Sequence, residues 1–360
     1  MTTPALQRLR ERFPGAQITL LTHEKLAGLW EQHSCVNSVL TLQDGQTPWS
    51  VARVLNRGGF DTALILPNSP RSALESWLAG IPRRIGYAGA WRNFFLSRSV
   101  KHPPGRSLPR QRGVNEIKQL TGEGKQTIPS TSTSSYQHQI HDYLNLAATI
   151  GANPSPLAPK LEISPQEVEM AAVELQKLLG QKRRDAEGPI VWLGINASAA
   201  YGPAKCWPVE RFAEVTSEVS KVVPNCVWLS FGSQADRNLG ERLAGLARGT
   251  IYNLAGQTSL RQLMAFLKTC SVLLTNDSGP MHVAAALGTA VVVPFGSTSP
   301  ELTAPGLPGD TRHHLLRTNA ACSPCFRRTC PIDFRCMTGI TVEQVTGATI
   351  AALKSAKITK

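Results

Sequence analysis

Between residues 273 and 288 the sequence reads LLTNDSGPMHVAAALG. A strand-like apolar run ends at Asn276, and Asp277, Ser278, Gly279 and Pro280 follow before helix formers resume. Asp and Ser are N-cap types, Gly lets a ligand approach the main chain, and Pro suits a first helical turn. Free N–H groups at such a helix start attract an anion, phosphate above all. His282 falls in the first turn, beside that anion position. Capping alone would explain Asp277 and Ser278, but four such residues together at a strand end favour a ligand site.

Other stretches offer candidates. GINASAAYGPAKCWP carries Asn196, Ser198, Gly202 and Lys205 in a small-residue loop after a strand. Such a loop can wrap a diphosphate, with Lys205 supplying the neutralising charge. It lacks P-loop spacing, and a loop lysine is ordinarily just solvated. FGSQADRNLGERLAG presents Ser233, Gln234 and Asp236 to a ribose or base, although N-capping by Ser233 explains it as well. LPNSPRSAL places Asn68, Ser69 and Arg71 after a strand in the first half, where they can meet a second substrate or merely form a solvated loop. Cys322, Cys325, Cys330 and Cys336 are spaced C-x2-C-x4-C-x5-C. Four thiolates so placed can surround a structural Zn²⁺ and leave no open position for catalysis; disulfides are the alternative, disfavoured in a reducing cytosol.

The elements that must position these residues alternate. Of 360 residues 42% are hydrophobic, enough for two cores. Strands and helices alternate through the first ~150 residues and more regularly through the second half, predicting parallel sheets with function at the strands' C-terminal ends. The expected division is 1–155, with a Pro/Gly/Ser/Thr-rich loop insert at about 103–135, then 156–345, then a helix or tail over 346–360. No apolar run is long enough to span a bilayer, and the N-terminus has no signal-peptide core, so the expected location is the cytoplasm. The net charge of +13 favours anionic partners, but the basic residues form no nucleic-acid-type block.

Taken together, GPAKCWPVERFAEV, NLAGQTSLRQLMAFLKTCSVLLTNDSGPMHVAAALG, VVPFGSTSPELTAP and CSPCFRRTCP resemble the ADP-heptose:lipopolysaccharide heptosyltransferases of glycosyltransferase family 9. LILPNSPRSAL with AGIPRRIGYAG is most similar to the heptosyltransferase II branch. The resemblance implies a GT-B fold, two Rossmann-like α/β domains facing across a cleft. It implies inverting transfer from an ADP-heptose donor to a lipid A–Kdo–heptose acceptor, with no catalytic metal. Donor contacts would come from Asn196, Ser198, Lys205, Gln234, Asp277, Ser278, Gly279 and His282, and acceptor contacts from Asn68, Ser69 and Arg71. The protein would work in the cytoplasm, peripherally at the inner-membrane face, with no nucleic acid beyond the nucleotide sugar. A family member using another nucleotide sugar, or a non-catalytic binding member, is the alternative.

The same resemblance makes the start of the chain unusual. Family members begin with a strand and a Gly-Asp loop before the helix that TTPALQRLRERFPGA resembles, and that loop's Asp is the expected general base. The expectation is an N-terminal domain without its first strand, with the base lying before Met1. The chain is expected to bind donor better than it turns over, and no catalytic residue is assigned within it.

Overall fold

A computed structural model describes residues 1–103, 106, 109–122, 137–179 and 188–358. In chain order come α1 (Thr3–Arg12), β1 (Thr19–His23), β2 (Ser38–Leu42), α2 (Pro48–Arg57), β3 (Thr62–Ile65), α3 (Pro70–Leu78), β4 (Arg83–Tyr87) and β5 (Arg98–Val100). Then follow α4 (Val114–Thr121), α5 (Ile140–Ala148) and α6 (Pro165–Leu178). The rest alternates: β6 (Val191–Asn196), α7 (Val209–Val222), β7 (Cys226–Ser230), α8 (Arg237–Leu246), β8 (Ile251–Asn253), α9 (Leu260–Thr269), β9 (Val272–Thr275), α10 (Gly279–Ala286), β10 (Ala290–Phe295) and β11 (His314–Arg317). A long helix, α11 (Val342–Ile358), closes the chain.

The chain divides into two compact units, Met1–Ser107 with Tyr136–Pro159, and Leu108–Ser135 with Lys160–Lys360. The described part of the expected insert, residues 109–122, belongs to the second unit and not to the first. The reason is local. Arg112 donates from its main chain to Cys325 O at 2.9 Å and from Nη1 to Ala321 O at 2.9 Å, and Ile117 of α4 is buried beside Cys322 and Cys325. The Ser/Thr-rich run expected as loop lies, from residue 123 to 135, outside the described residues. The closing helix is no loose tail, because Val345, Thr349, Ala352 and Leu353 are buried.

In the second unit six parallel strands run in the order β11-β10-β9-β6-β7-β8. Their sequences are near-continuous apolar runs, as strands covered on both faces require. Leu193, Val227, Trp228, Leu274 and Val292 are fully buried. Phe212 and Val215 of α7, with Val345 and Leu353 of α11, pack in one cluster with Leu193, Ile195 and Leu274. Helix starts in this unit carry side-chain caps: Ser259 Oγ accepts from Gln262 N at the start of α9, and Ser164 forms a capping box with Glu167 at α6. Strand order reverses between β6 and β9, where Asn196 registers with Thr275. Such a switch point opens a crevice at the strands' C-terminal ends.

The first unit is also parallel, but its strands form separate ladders, β1-β2 and β3-β4-β5. Both rest on one helix layer: Leu21, Leu40 and Ala63 all pack on the cluster of Val51, Ala52 and Leu55 from α2. No position of β1 or β2 is fully buried.

Candidate functional site

The switch point in the second unit is where the sequence candidates meet. Asn276 follows β9 and is fully buried. Its Nδ2 donates to Ala197 O at 2.7 Å, and its Oδ1 accepts from Trp207 N at 2.9 Å. One side chain therefore holds both ends of the 197–207 loop against the end of β9. Each such bond contributes about 1 kcal/mol net, and stranding the Trp207 N–H would cost about 1–3 kcal/mol.

That clamp sets Lys205. Its Nζ lies 2.7 Å from Asp277 Oδ2, and the same oxygen accepts from Thr298 Oγ1 at 2.5 Å. Asp277 is 4% exposed and the Lys205 side chain 14%. A desolvated pair needs this extra donor, because Coulomb attraction alone rarely offsets the lost hydration. Tyr201 lies under the pair's cation, with Lys205 Nζ 4.9 Å and the Arg328 guanidinium 5.4 Å from the ring centre.

Asp277 is thus committed to Lys205 and does not cap α10. Ser278 occupies the N-cap position but makes no cap bond. Its hydroxyl instead meets Asn196 Nδ2 at 3.0 Å and Thr275 Oγ1 at 3.2 Å. Ser198 Oγ donates to Asn196 Oδ1 at 3.1 Å, which fixes the Asn196 amide. Ser278 therefore caps neither the Gly279 nor the Met281 N–H, Pro280 has none, and the space a Cβ on Gly279 would enter is open. A cation, uncapped helix N–H groups and an open approach are the features that can receive an anion. His282 is half-buried in the first turn.

The remaining candidates divide. Gln234 is exposed at the end of the β7 loop, while Ser233 and Asp236 satisfy each other: Asp236 Oδ2 accepts from Ser233 N at 2.8 Å and Oγ at 2.7 Å. The capping reading explains that pair. In the first unit, Ser69 caps α3 through Ser72 N at 3.2 Å. Arg71 is held by Glu75 Oε1 at 2.7 Å and Gln46 O at 2.6 Å. Asn68 Oδ1 accepts from Arg92 Nη1 at 3.1 Å. Arg92 is only 1% exposed, and its Nε and Nη2 have no partner among the described residues. Asn276, Thr298 and Arg92 were not legible as site residues, though VVPFGSTSPELTAP contains Thr298.

The four cysteines are free thiols. With Ile117, Ala204 and Ser297 they line a cavity of about 10 Å³. Burial, then the neighbouring sulfurs, pushes Cys336 up to about 12, and burial raises Cys322 as well. Among the described residues no group of three or more His, Cys, Asp or Glu is arranged to hold a metal ion. The segment also braces the lysine loop. Arg328 O accepts from Ala204 N at 2.9 Å, and Phe326 O accepts from Tyr201 Oη at 2.7 Å. Gly202, at φ +144°, passes so close that a Cβ would lie 2.6 Å from Arg328 O.

Against known proteins, the family model "Glycosyltransferase family 9 (heptosyltransferase)" matches residues 125–334, more than half the chain. The chain belongs to glycosyltransferase family 9. It is 28% identical over 322 residues to lipopolysaccharide heptosyltransferase 2 of Escherichia coli K12, covering 85% of this chain and 81% of the relative. It is 27% identical over 324 residues to lipooligosaccharide heptosyltransferase 2 of Haemophilus ducreyi, covering 85% and 82%. Its fold matches the E. coli ADP-heptose LPS heptosyltransferase II structure with a TM-score of 0.74 at 24% identity, over 99% of this chain and 95% of that one. A family 9 glycosyl transferase from Veillonella parvula matches with a TM-score of 0.75 at 21% identity, over 98% and 93%. This family 9 chain is therefore a glycosyltransferase of the GT-B class.

Proposed function

We propose that this glycosyltransferase moves heptose, with inversion, from ADP-L-glycero-D-manno-heptose to the lipid A–Kdo–heptose inner core, as heptosyltransferase II enzymes do. It would act in the cytoplasm, at the inner-membrane face. The names of its relatives support the sugar and the acceptor. The observation that carries the donor assignment is the Lys205–Asp277 pair beside the uncapped start of α10.

In this reading the diphosphate seats on the first N–H groups of α10, with Lys205 turning from Asp277 towards it. Negative charge grows on the departing ADP during transfer. The helix dipole and Lys205 stabilise that charge, so the chemistry requires no metal. Asn196, Ser198 and Ser278 hold the loop in register, while Gly279, His282 and Gln234 border the donor. Asn68, Ser69 and Arg71 are the acceptor candidates, Asn68 being kept in place by Arg92. Deprotonation of the acceptor hydroxyl by a carboxylate belongs to this reading, and that carboxylate is not assigned to a residue of this chain. A zinc ion at the four cysteines would be structural; one equivalent retained after zinc reconstitution and dialysis would establish it.

The test is ADP release from ADP-heptose in the presence of an inner-core acceptor. Lys205→Ala should lower kcat/KM by about a hundredfold or more, the scale of losing one preorganised transition-state contact. Unchanged turnover would overturn the donor assignment. A panel of nucleotide sugars separates heptose from another donor, and ADP-dependent thermal stabilisation without turnover would mark a binding protein.

A further inference from the structure

The turn after β4 faces solvent the wrong way round. Residues 88–97 read AGAWRNFFLS. Trp91 is 87% exposed and Phe94 77%, while Arg92 between them is 1% exposed. Trp91 sits at φ +63°, a left-handed conformation costly for a bulky residue, and it directs the indole outward. The rings gather: Phe94 meets Phe95 edge-on at 5.4 Å, and Trp77 of α3 lies 5.6 Å from Phe95 and 6.3 Å from Phe94. They are fixed in place, because Arg84 Nε donates to Phe95 O at 2.7 Å. Contiguous exposed rings of this kind mark an interaction site rather than scattered surface apolarity.

Charge says which partner. Residues 81–101 contain Arg83, Arg84, Arg92, Arg98 and Lys101, and no Asp or Glu. Arg83, Arg98 and Lys101 are exposed. The nearby acids do not cancel them. Glu75 is buried and paired with Arg71 and Asp142 is paired with Arg106, while the exposed Asp61 sets one negative charge against three exposed cations. Indole and phenyl rings bordered by Arg and Lys suit the headgroup layer of an anionic bilayer: rings enter the acyl boundary and cations meet phosphates.

We propose that the Trp77–Trp91–Phe94 face of the first unit, with Arg83, Arg98 and Lys101, docks on an anionic membrane surface. This deepens the peripheral location proposed above and rests on that reading.

Co-sedimentation of the full chain with vesicles tests it, using pure phosphatidylcholine against mixtures with phosphatidylglycerol. Binding should require phosphatidylglycerol and weaken with salt. The W91S/F94S variant should lose about tenfold or more in binding, and R83Q/R98Q about fivefold for each charge removed. Both variants change exposed side chains, so an unchanged melting curve shows that the fold is kept. Equal binding by W91S/F94S overturns the proposal. So does indifference of the unsubstituted chain to phosphatidylglycerol, or a dimer of that chain that the variant dissociates while vesicles go unbound. ADP release on a deacylated, soluble inner-core acceptor keeps this separate from the functional reading. If the substituted chains lose vesicles but keep that activity, both readings stand. If no chain has the activity while vesicle binding follows the rings, only the functional reading fails.

Discussion

β9 in the second unit and β1 in the first are both short parallel strands, yet they sit in different surroundings. Every residue of β9 is buried, whereas every residue of β1 is half-covered. The loop after β9 inherits a fixed starting point, so Asn276 can hold Ala197 and Trp207, and Asp277 Lys205 and Thr298, in a dry setting. Near β3 and α3, the candidates Ser69 and Arg71 are exposed and occupied by their own helix and a neighbouring loop. The second unit has the burial to preorganise charge; the first carries its candidates on a more open frame.

Core truncation would break that contrast most visibly. Leu274→Ala in β9 should cost about 3–5 kcal/mol in a denaturant melt, and Leu21→Ala in β1 about 1 kcal/mol, since only the former leaves a sealed cavity. Equal costs would erase the distinction. The ion pairs should differ next. Asp277→Ala strands a Lys205 that is 14% exposed and should cost about 3 kcal/mol, whereas Glu75→Ala leaves behind an Arg71 that is 54% exposed and should cost about 1 kcal/mol or less.

Acid sharpens the comparison further, because the buried His313 is a weak point of the second unit. Burial pushes His313 down to about 4, and its Nδ1 accepts from Val291 N at 3.3 Å, a bond only the unprotonated ring can make. The folded state resists a proton that the unfolded chain takes near pH 6.5. Its contribution is therefore complete above that pH and is lost as pH falls from about 6.5 to about 4, by on the order of 2 kcal/mol. Glu167, held down to about 2 chiefly by Arg261, adds a later loss below about pH 4.5. A pH series of melts on the chain and on His313→Gln should show the first loss in the former only. Smallest of all, Trp91→Ala should move stability by no more than about 0.5 kcal/mol, as an exposed ring should.

Much of the second unit was legible because its signals are local. Gly-Pro after an apolar run marks a helix start, and a lysine among small residues marks a close-approach loop. Asn276 escaped because a strand's last residue looks like strand, and its two bonds reach residues about seventy positions away. Arg92 escaped because an arginine between aromatic residues reads as solvated, and only the turn's left-handed Trp91 folds it inward. The Cys spacing suggests a metal, and only the packing adds that this segment braces the Lys205 loop. The insert's composition marked it as irregular, but composition carries no address, so nothing in it pointed to the second unit.

The placement of α4 has a consequence for how this protein can be recombined. The polypeptide changes units after Ser107, after Ser135 and after Pro159. A chimera joined at the last linker would therefore exchange more than one half, since α4 would travel with the wrong parent. Its Ile117 would then have to cover cysteines, and its Arg112 bond carbonyls, from a foreign sequence. Shuffling between relatives should succeed only where this short helix and the Cys-rich segment are inherited together.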